Sequence, residues 1–163
     1  MQVGILSDIH DNIAALRQAL EKLRHTDVLL CCGDLCSPFI ITELVQNYAR
    51  DIHIVFGNND GDLFRITNNS KAFPHLHLHG EMAELTFDDC RFGINHYDTI
   101  GRIFADSGRY DVVCFGHNHQ FEISQTANTL VINPGEILGG LTGNSTYVTL
   151  DTIDRTPERH DLT

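Results

Sequence analysis

A chain of 163 residues, 42% hydrophobic and 20% charged, has the size and composition of one globular domain and excludes a disordered, collagen-like or coiled-coil protein. Its 22 acidic residues against 11 basic ones give a formal net charge of −11, which excludes a basic track for a nucleic-acid polymer. The odd set Cys31, Cys32, Cys36, Cys90 and Cys114 lacks paired C-x-x-C spacing and fits neither a disulfide framework nor a zinc ribbon; no apolar run is long enough for a membrane span, and Asp8 falls too early for a secretory signal, so the cytoplasm is the expected setting.

Gln2 to Leu6 reads as a short buried strand, and Ile13, Leu16, Leu20 and Leu23 recur at helical spacing after Asp11. Asp27 to Cys32 predicts a second strand, ending at Gly33-Asp34. Ser37-Pro38 then places a capping hydroxyl before a first-turn proline, and Ile40, Ile41, Leu44, Val45 and Tyr48 form the inward face of the next helix. Asp51 to Phe56 predicts a third strand, closed by Gly57-Asn58-Asn59-Asp60, whose residue types suit positive φ. From His75 the texture changes to short alternating runs: His75 to His79, Met82 to Phe87, Arg91 to Asn95, Val112 to Phe115, Phe121 to Ser124, Thr129 to Ile132 and Tyr147 to Leu150. One helix interrupts them between about Asp98 and Gly108, so the expected α/β fold has mixed sheets with helices outside, in one domain spanning residues 1–163. The last dozen residues are expected to fray.

Polar residues follow the apolar runs in a series: Asp8-Ile9-His10, Gly33-Asp34, Gly57-Asn58-Asn59-Asp60, Asn95-His96 and Gly116-His117-Asn118-His119. Loops beyond the carboxyl ends of strands in open α/β sheets converge on ligands, so distant stretches can meet there. If the backbone stays extended, alternation in Asp8-x-His10 and His117-x-His119 turns both side chains of each pair the same way. On so acidic a chain a phosphorylated ligand needs a local attractor, and bound cations are the strongest one available.

These motifs, in this order, resemble the calcineurin-like metallophosphoesterase family, in its small single-domain phosphodiesterase branch; Asn133-Pro134-Gly135 and Leu141-Thr142-Gly143 extend the likeness over almost the whole chain. The resemblance implies a four-layer fold, two mixed β-sheets packed as a sandwich with helices on the outer faces and a metal site at strand carboxyl ends. It implies that Asp8, His10, Asp34 and His119 hold one divalent ion and Asp34, Asn58, His96 and His117 the other, with Asp34 as the bridge. A bridging hydroxide between ions about 3.5–4 Å apart would then attack phosphorus in line with the leaving oxygen. Nitrogen and oxygen donors without thiolate suit Mn, Ni, Fe or Zn, with Mn favoured. The implied substrate is a small phosphate ester, a diester before a monoester, with no membrane or polymeric nucleic acid as partner and a higher assembly left open.

The chain departs from the family at three places. Asn59 stands where many relatives have a histidine that helps the leaving group depart, and an amide cannot deliver a proton, so diesters with good leaving groups are the expected substrates. Tyr97 replaces a common glycine, narrowing the cleft, and Glu136 replaces a common serine, adding negative charge with no catalytic role assigned. Asp60 is expected either to brace the loop or a ligand imidazole from behind, or to sit at a helix N-terminus. His75, His77 and His79 could imitate a metal site but are expected on a solvated strand face with Leu76 and Leu78 inward; Cys36 could be a nearby thiol ligand or redox switch but is expected in packing; and Arg17, Lys22 and Arg24 are expected on a solvated helix face. Two other functions fit the same ligands: a scaffold like the retromer subunit that resembles this fold, whose metal site is degraded, and a metal-storage or sensing module.

Overall fold

The computed structural model describes residues 1–162. Strand β1 (Gln2–Leu6), helix α1 (Ile13–Leu23), β2 (Val28–Cys31), α2 (Phe39–Asn47) and β3 (Asp51–Ile54) form the expected opening. Helix α3 (Leu63–Ser70) and β4 (Leu76–Leu78) follow, then β5 (Met82–Phe87), β6 (Cys90–Asn95), α4 (Asp98–Asp106) and β7 (Val112–Cys114). The chain closes with β8 (Glu122–Thr126), β9 (Thr129–Asn133), β10 (Thr146–Asp151) and β11 (Pro157–Asp161).

Eleven strands make two mixed sheets, ordered β11-β10-β1-β2-β3-β4 and β5-β6-β7-β9-β8. In the first, β1 to β4 run parallel, with Ile5 beside Leu30 and Leu30 beside His53. In the second, β6, β7 and β9 run parallel between antiparallel edges. Because successive side chains point to opposite faces, one strand serves two cores. Val3, Ile5, Val28 and Leu30 face the second sheet's Phe92, Ile94, Val112 and Ile132, whereas Leu6, Leu29, Cys31, Ile52 and Ile54 face α1 and α2. On the far side Ala105 of α4 packs with Val113, Phe115 and Val131. The result is the four-layer sandwich that the sequence implies. Each fully buried Leu or Ile in these layers contributes about 1.5–3 kcal/mol over exposure.

Several local expectations are corrected. Ser37 does not cap α2; its hydroxyl donates to Asp11 Oδ2 at 2.6 Å, and Pro38 opens the helix without a side-chain cap. Helix α3 has no apolar pattern of its own, since Leu-Phe-Arg-Ile-Thr-Asn-Asn-Ser has few good helix formers, and only the alternative reading of Asp60 as a helix N-terminal carboxylate points to it; Asp62 caps it instead by accepting from Arg65 N, and Ile66 anchors it in the core. The tail does not fray as expected. Strand β11 adds to the edge of β10, His160 stacks on Tyr147, Arg159 lies over Phe121, and Leu162 packs against the core. The histidine face is only partly solvated, with His75, His77 and His79 all half-buried. Leu76 and Leu78 do turn inward, but His77 and His79 turn toward the second sheet, where both stack on half-buried His53, which meets the edge of Phe87.

Candidate metal centre

The site is assembled where parallel strands of both sheets end. The loop after β1 is stitched to the loop after β2: Asp8 N donates to Gly33 O at 3.1 Å, and Ile9 N and His10 N donate to Asp34 O at 3.0 and 3.1 Å. The expected extended backbone is not what turns the side chains inward. Asp8, His10, Asp34, His117 and His119 all have positive φ, between 44° and 70°, a conformation L residues adopt sparingly. The two motif pairs consequently behave differently. Asp8 and His10 converge, whereas His119 turns to Asp8 and His117 turns away to His96, with ring centres 5.2 Å apart. Space is made by glycine: a Cβ at Gly116 would collide with Ser7 Oγ and Asp8 Oδ2, and one at Gly57 with Asp34 Oδ1.

Two clusters result, Asp8 with His10 and His119, and Asp8 with Asp34 and His96. Asp8, Asp34 and His96 are at most 1% exposed. Asp34 Oδ2, of the second cluster, stands 3.5 Å from His96 Nε2 and reaches to 3.3 Å from His10 Nε2 of the first, while Asp8 is common to both clusters. Asp8 Oδ1 lies 3.3 Å from His119 Nε2 and 3.7 Å from His10 Nε2. Asn58 Oδ1 is 3.1 Å from His96 Nε2. His117 joins through His96 and through its backbone N, which donates to Asp8 Oδ2 at 3.1 Å.

These atoms fit divalent cations. Asp8 Oδ1 and His10 Nε2 are buried without any hydrogen-bond partner, a costly state unless something positive lies between them. The ring orientations agree. His96 Nδ1 is 2.7 Å from Cys32 O, which can only accept, so a neutral His96 carries its proton on Nδ1 and presents Nε2 as a lone pair. That lone pair faces the Asn58 amide, whose Oδ1 is 3.1 Å away, a contact satisfied by a protonated ring, by a shared cation or by the amide turned to present its NH₂. His119 Nδ1 is held by Glu136 Oε2 at 2.7 Å, and His10 Nδ1 by Cys36 Sγ at 3.4 Å. In each ring the outer nitrogen is occupied and the inner one is turned to the aspartates.

The electrostatics favour charge separation. Burial opposes ionisation of Asp34, but hydrogen bonds from His96 and Asn59 outweigh it and hold the carboxyl well below its usual range. His10 is raised, chiefly by its contact with Asp8; His96 is raised because Asp34 and Asp8 outweigh its burial. Burial, with nearby aspartates, pushes the Cys36 thiol up to about 12, so without a cation Cys36 is a neutral neighbour of His10. The expected packing role is thus only part of its place, since its sulfur also touches the His10 ring.

The two asparagine-loop expectations are resolved by contacts. Asn59 donates its backbone N to Asp34 Oδ1 and its side-chain Nδ2 to Asp34 Oδ2, both at 2.8 Å. It holds the central carboxylate, which explains its position without a leaving-group role. Asp60 takes the bracing role: Oδ1 accepts from Leu35 N at 2.7 Å and Cys36 N at 3.0 Å, and Oδ2 from Gly57 N at 2.7 Å. It thereby locks the Asp34 loop to the Asn58 loop, contacts no imidazole, and leaves capping of α3 to Asp62. Beside His119 lies a cavity of about 270 Å³, lined by Gln120, Phe121, Thr142, Asn144 and Arg159 among others.

Comparison with known proteins agrees with this architecture. The calcineurin-like phosphoesterase superfamily domain matches residues 1–155, and the chain belongs to that superfamily. It is 35% identical over 156 residues to Phosphodiesterase MJ0936 of Methanocaldococcus jannaschii, covering 93% of each chain. The solved structure of an archaeal phosphodiesterase superposes with a TM-score of 0.92 at 32% identity, over 99% of this chain and 100% of that one. Vacuolar protein sorting 29 of Cryptosporidium parvum superposes with a TM-score of 0.72 at 15% identity, over 99% and 96% of the two chains, a likeness of fold alone.

Proposed function

We propose that this protein is a phosphodiesterase that works with two divalent cations on small phosphate esters, as one domain in the cytoplasm. The carrying observation is Asp34 Oδ2, a buried carboxylate oxygen within 3.5 Å of imidazole nitrogens on both sides. Asp8, His10, Asp34 and His119 would hold one cation, and Asp34, Asn58, His96 and His117 the other. Such a pair polarises phosphoryl oxygens and supplies a strong nucleophile from water at neutral pH. The donor set of nitrogens and carboxylate or amide oxygens suits Mn, Ni, Fe or Zn, and Mn is the ion we propose. Five free cysteines, four of them buried, suit a reducing compartment.

The chain's own residues account for the rest. Asp60 and Asn59 fix Asp34 before substrate arrives, so little reorganisation is needed. Cys32 O, Cys36 and Glu136 orient three imidazoles from behind. The polar cavity beside His119 suits the second ester arm of a diester, which a monoester lacks. Asn59 is committed to Asp34 and cannot give a proton to a departing alkoxide, which favours leaving groups that depart unaided. A panel of aryl and alkyl diesters and monoesters assayed with Mn, Ni, Zn and Fe tests this reading. Aryl diesters should turn over at least about tenfold faster than alkyl monoesters, about 1.4 kcal/mol in barrier; equal rates with chemistry limiting would contradict it.

A further inference from the structure

We infer that Glu136 is a positioning residue, whose buried carboxylate fixes His119 with its proton on Nδ1 and its Nε2 lone pair turned to Asp8, while tying the following loop to the same ring. The inference rests on the reading of His119 as a metal ligand and goes beyond it, because Glu136 touches neither cation nor substrate in that reading.

Glu136 is fully buried just beyond β9, and among the described residues its only ion-pair partner is His119. Its two oxygens are divided. Oε2 takes His119 Nδ1 at 2.7 Å; Oε1 takes Leu141 N at 3.0 Å, Thr142 N at 2.7 Å and Thr142 Oγ1 at 2.8 Å. An ionised carboxylate can only accept, so its partner nitrogen on His119 must carry the proton. The flanking backbone is anchored to the same motif, with Ile137 N on Ser7 O at 3.0 Å and Leu138 N on Asp8 O at 2.9 Å. Glu136, His119 and Asp8 are therefore held as one unit. Thr142, on the other oxygen, walls the cavity beside His119, so a single carboxylate links a metal ligand to the substrate side of the site.

Replacement by glutamine is diagnostic because its two ends differ. Three donors crowd Oε1, so the amide oxygen would stay with Leu141 and Thr142 and the NH₂ would face His119 Nδ1. Nδ1 must then accept, the proton moves to Nε2, and the ring can no longer offer a lone pair toward Asp8.

The test combines ¹⁵N NMR of the histidine rings in metal-free protein, with the rings neutral, and calorimetric titration with Mn²⁺ of wild type, E136Q and H119A. Wild type should show His119 protonated on Nδ1; E136Q should show the proton on Nε2 and bind one Mn²⁺ about ten- to a hundredfold more weakly, as loss of a ligand's outer partner does. A wild-type ring protonated on Nε2 would overturn the inference without any variant, which covers the case of E136Q failing to fold. Loss of one Mn²⁺ site in H119A with unchanged tautomer and affinity in E136Q would overturn it while leaving His119 a ligand. Unchanged Mn²⁺ binding in H119A would overturn the ligand reading, and the inference with it.

Discussion

Three backbone N–H groups converge on Asp60, and its neutralisation would leave at least one of them facing a donor. Asp60→Asn should lower unfolding free energy by about 2 kcal/mol, measured by urea denaturation, since a buried unsatisfied donor costs about 1–3 kcal/mol; an unchanged midpoint would contradict the bracing role. Gly116→Ala should weaken metal binding, measured by calorimetry, because its Cβ would displace Asp8; wild-type affinity would show that the loop yields freely. At this scale Asp8, His10, Asp34, His96 and His119, which the structure gathers into two clusters, were legible because each follows an apolar run in a recognisable motif; Asn58 and His117 stand beside them through His96. The residues behind them were not. Glu136 lies 17 positions from His119 and Cys36 lies 26 from His10, separations that no local pattern connects. Asn59 was legible as a departure from the family but not as the residue holding Asp34, since that depends on the turn geometry of its loop.

Elements with clear apolar patterns, the buried runs of β1 and β2 and the one-sided face of α1, match their sequence signals, because burial on one or both faces dictates the pattern. Helix α3 and strand β11 escaped because tertiary contacts, not propensity, hold them: Ile66 in one case, and pairing to β10 with the His160 and Arg159 stacking in the other. The β3–β4 edge carries a pH dependence of its own. His53 Nδ1 lies 2.9 Å from His79 Nε2, and Asp51 Oδ1 contacts His77 instead. Burial, then the facing His77 and His79, lowers His53 to about 4, with Asp51 opposing weakly, and burial also lowers His79. The unfolded chain therefore takes up protons before the folded one. Stability from His53 is full above the ordinary histidine range and is lost as pH falls to about 4, at up to about 1.4 kcal/mol per pH unit. Urea midpoints across that window should show a shallower acid slope for His53→Gln than for wild type; equal slopes would place the titrating group elsewhere.

For the molecule as a whole, the layered fold was legible from the order of elements and from the family motifs, while the detailed register at the histidine edge and the tail came only with tertiary structure. The four layers bring loops from both sheets to one rim, and only there do Asp8, Asp34 and His96 become buried polar groups in contact. A fold shared with vacuolar protein sorting 29 does not decide between catalysis and scaffolding. The retained donors, with inward Nε2 atoms on His10, His96 and His119, favour catalysis.

Metal content per chain, measured by elemental analysis on wild type and Asp34→Asn alongside aryl phosphodiester turnover, tests the central claim most directly. Two divalent ions per wild-type chain with metal-dependent turnover, and fewer ions with turnover abolished in Asp34→Asn, is the expected result. Full turnover in the metal-free wild type, or in Asp34→Asn, would contradict it.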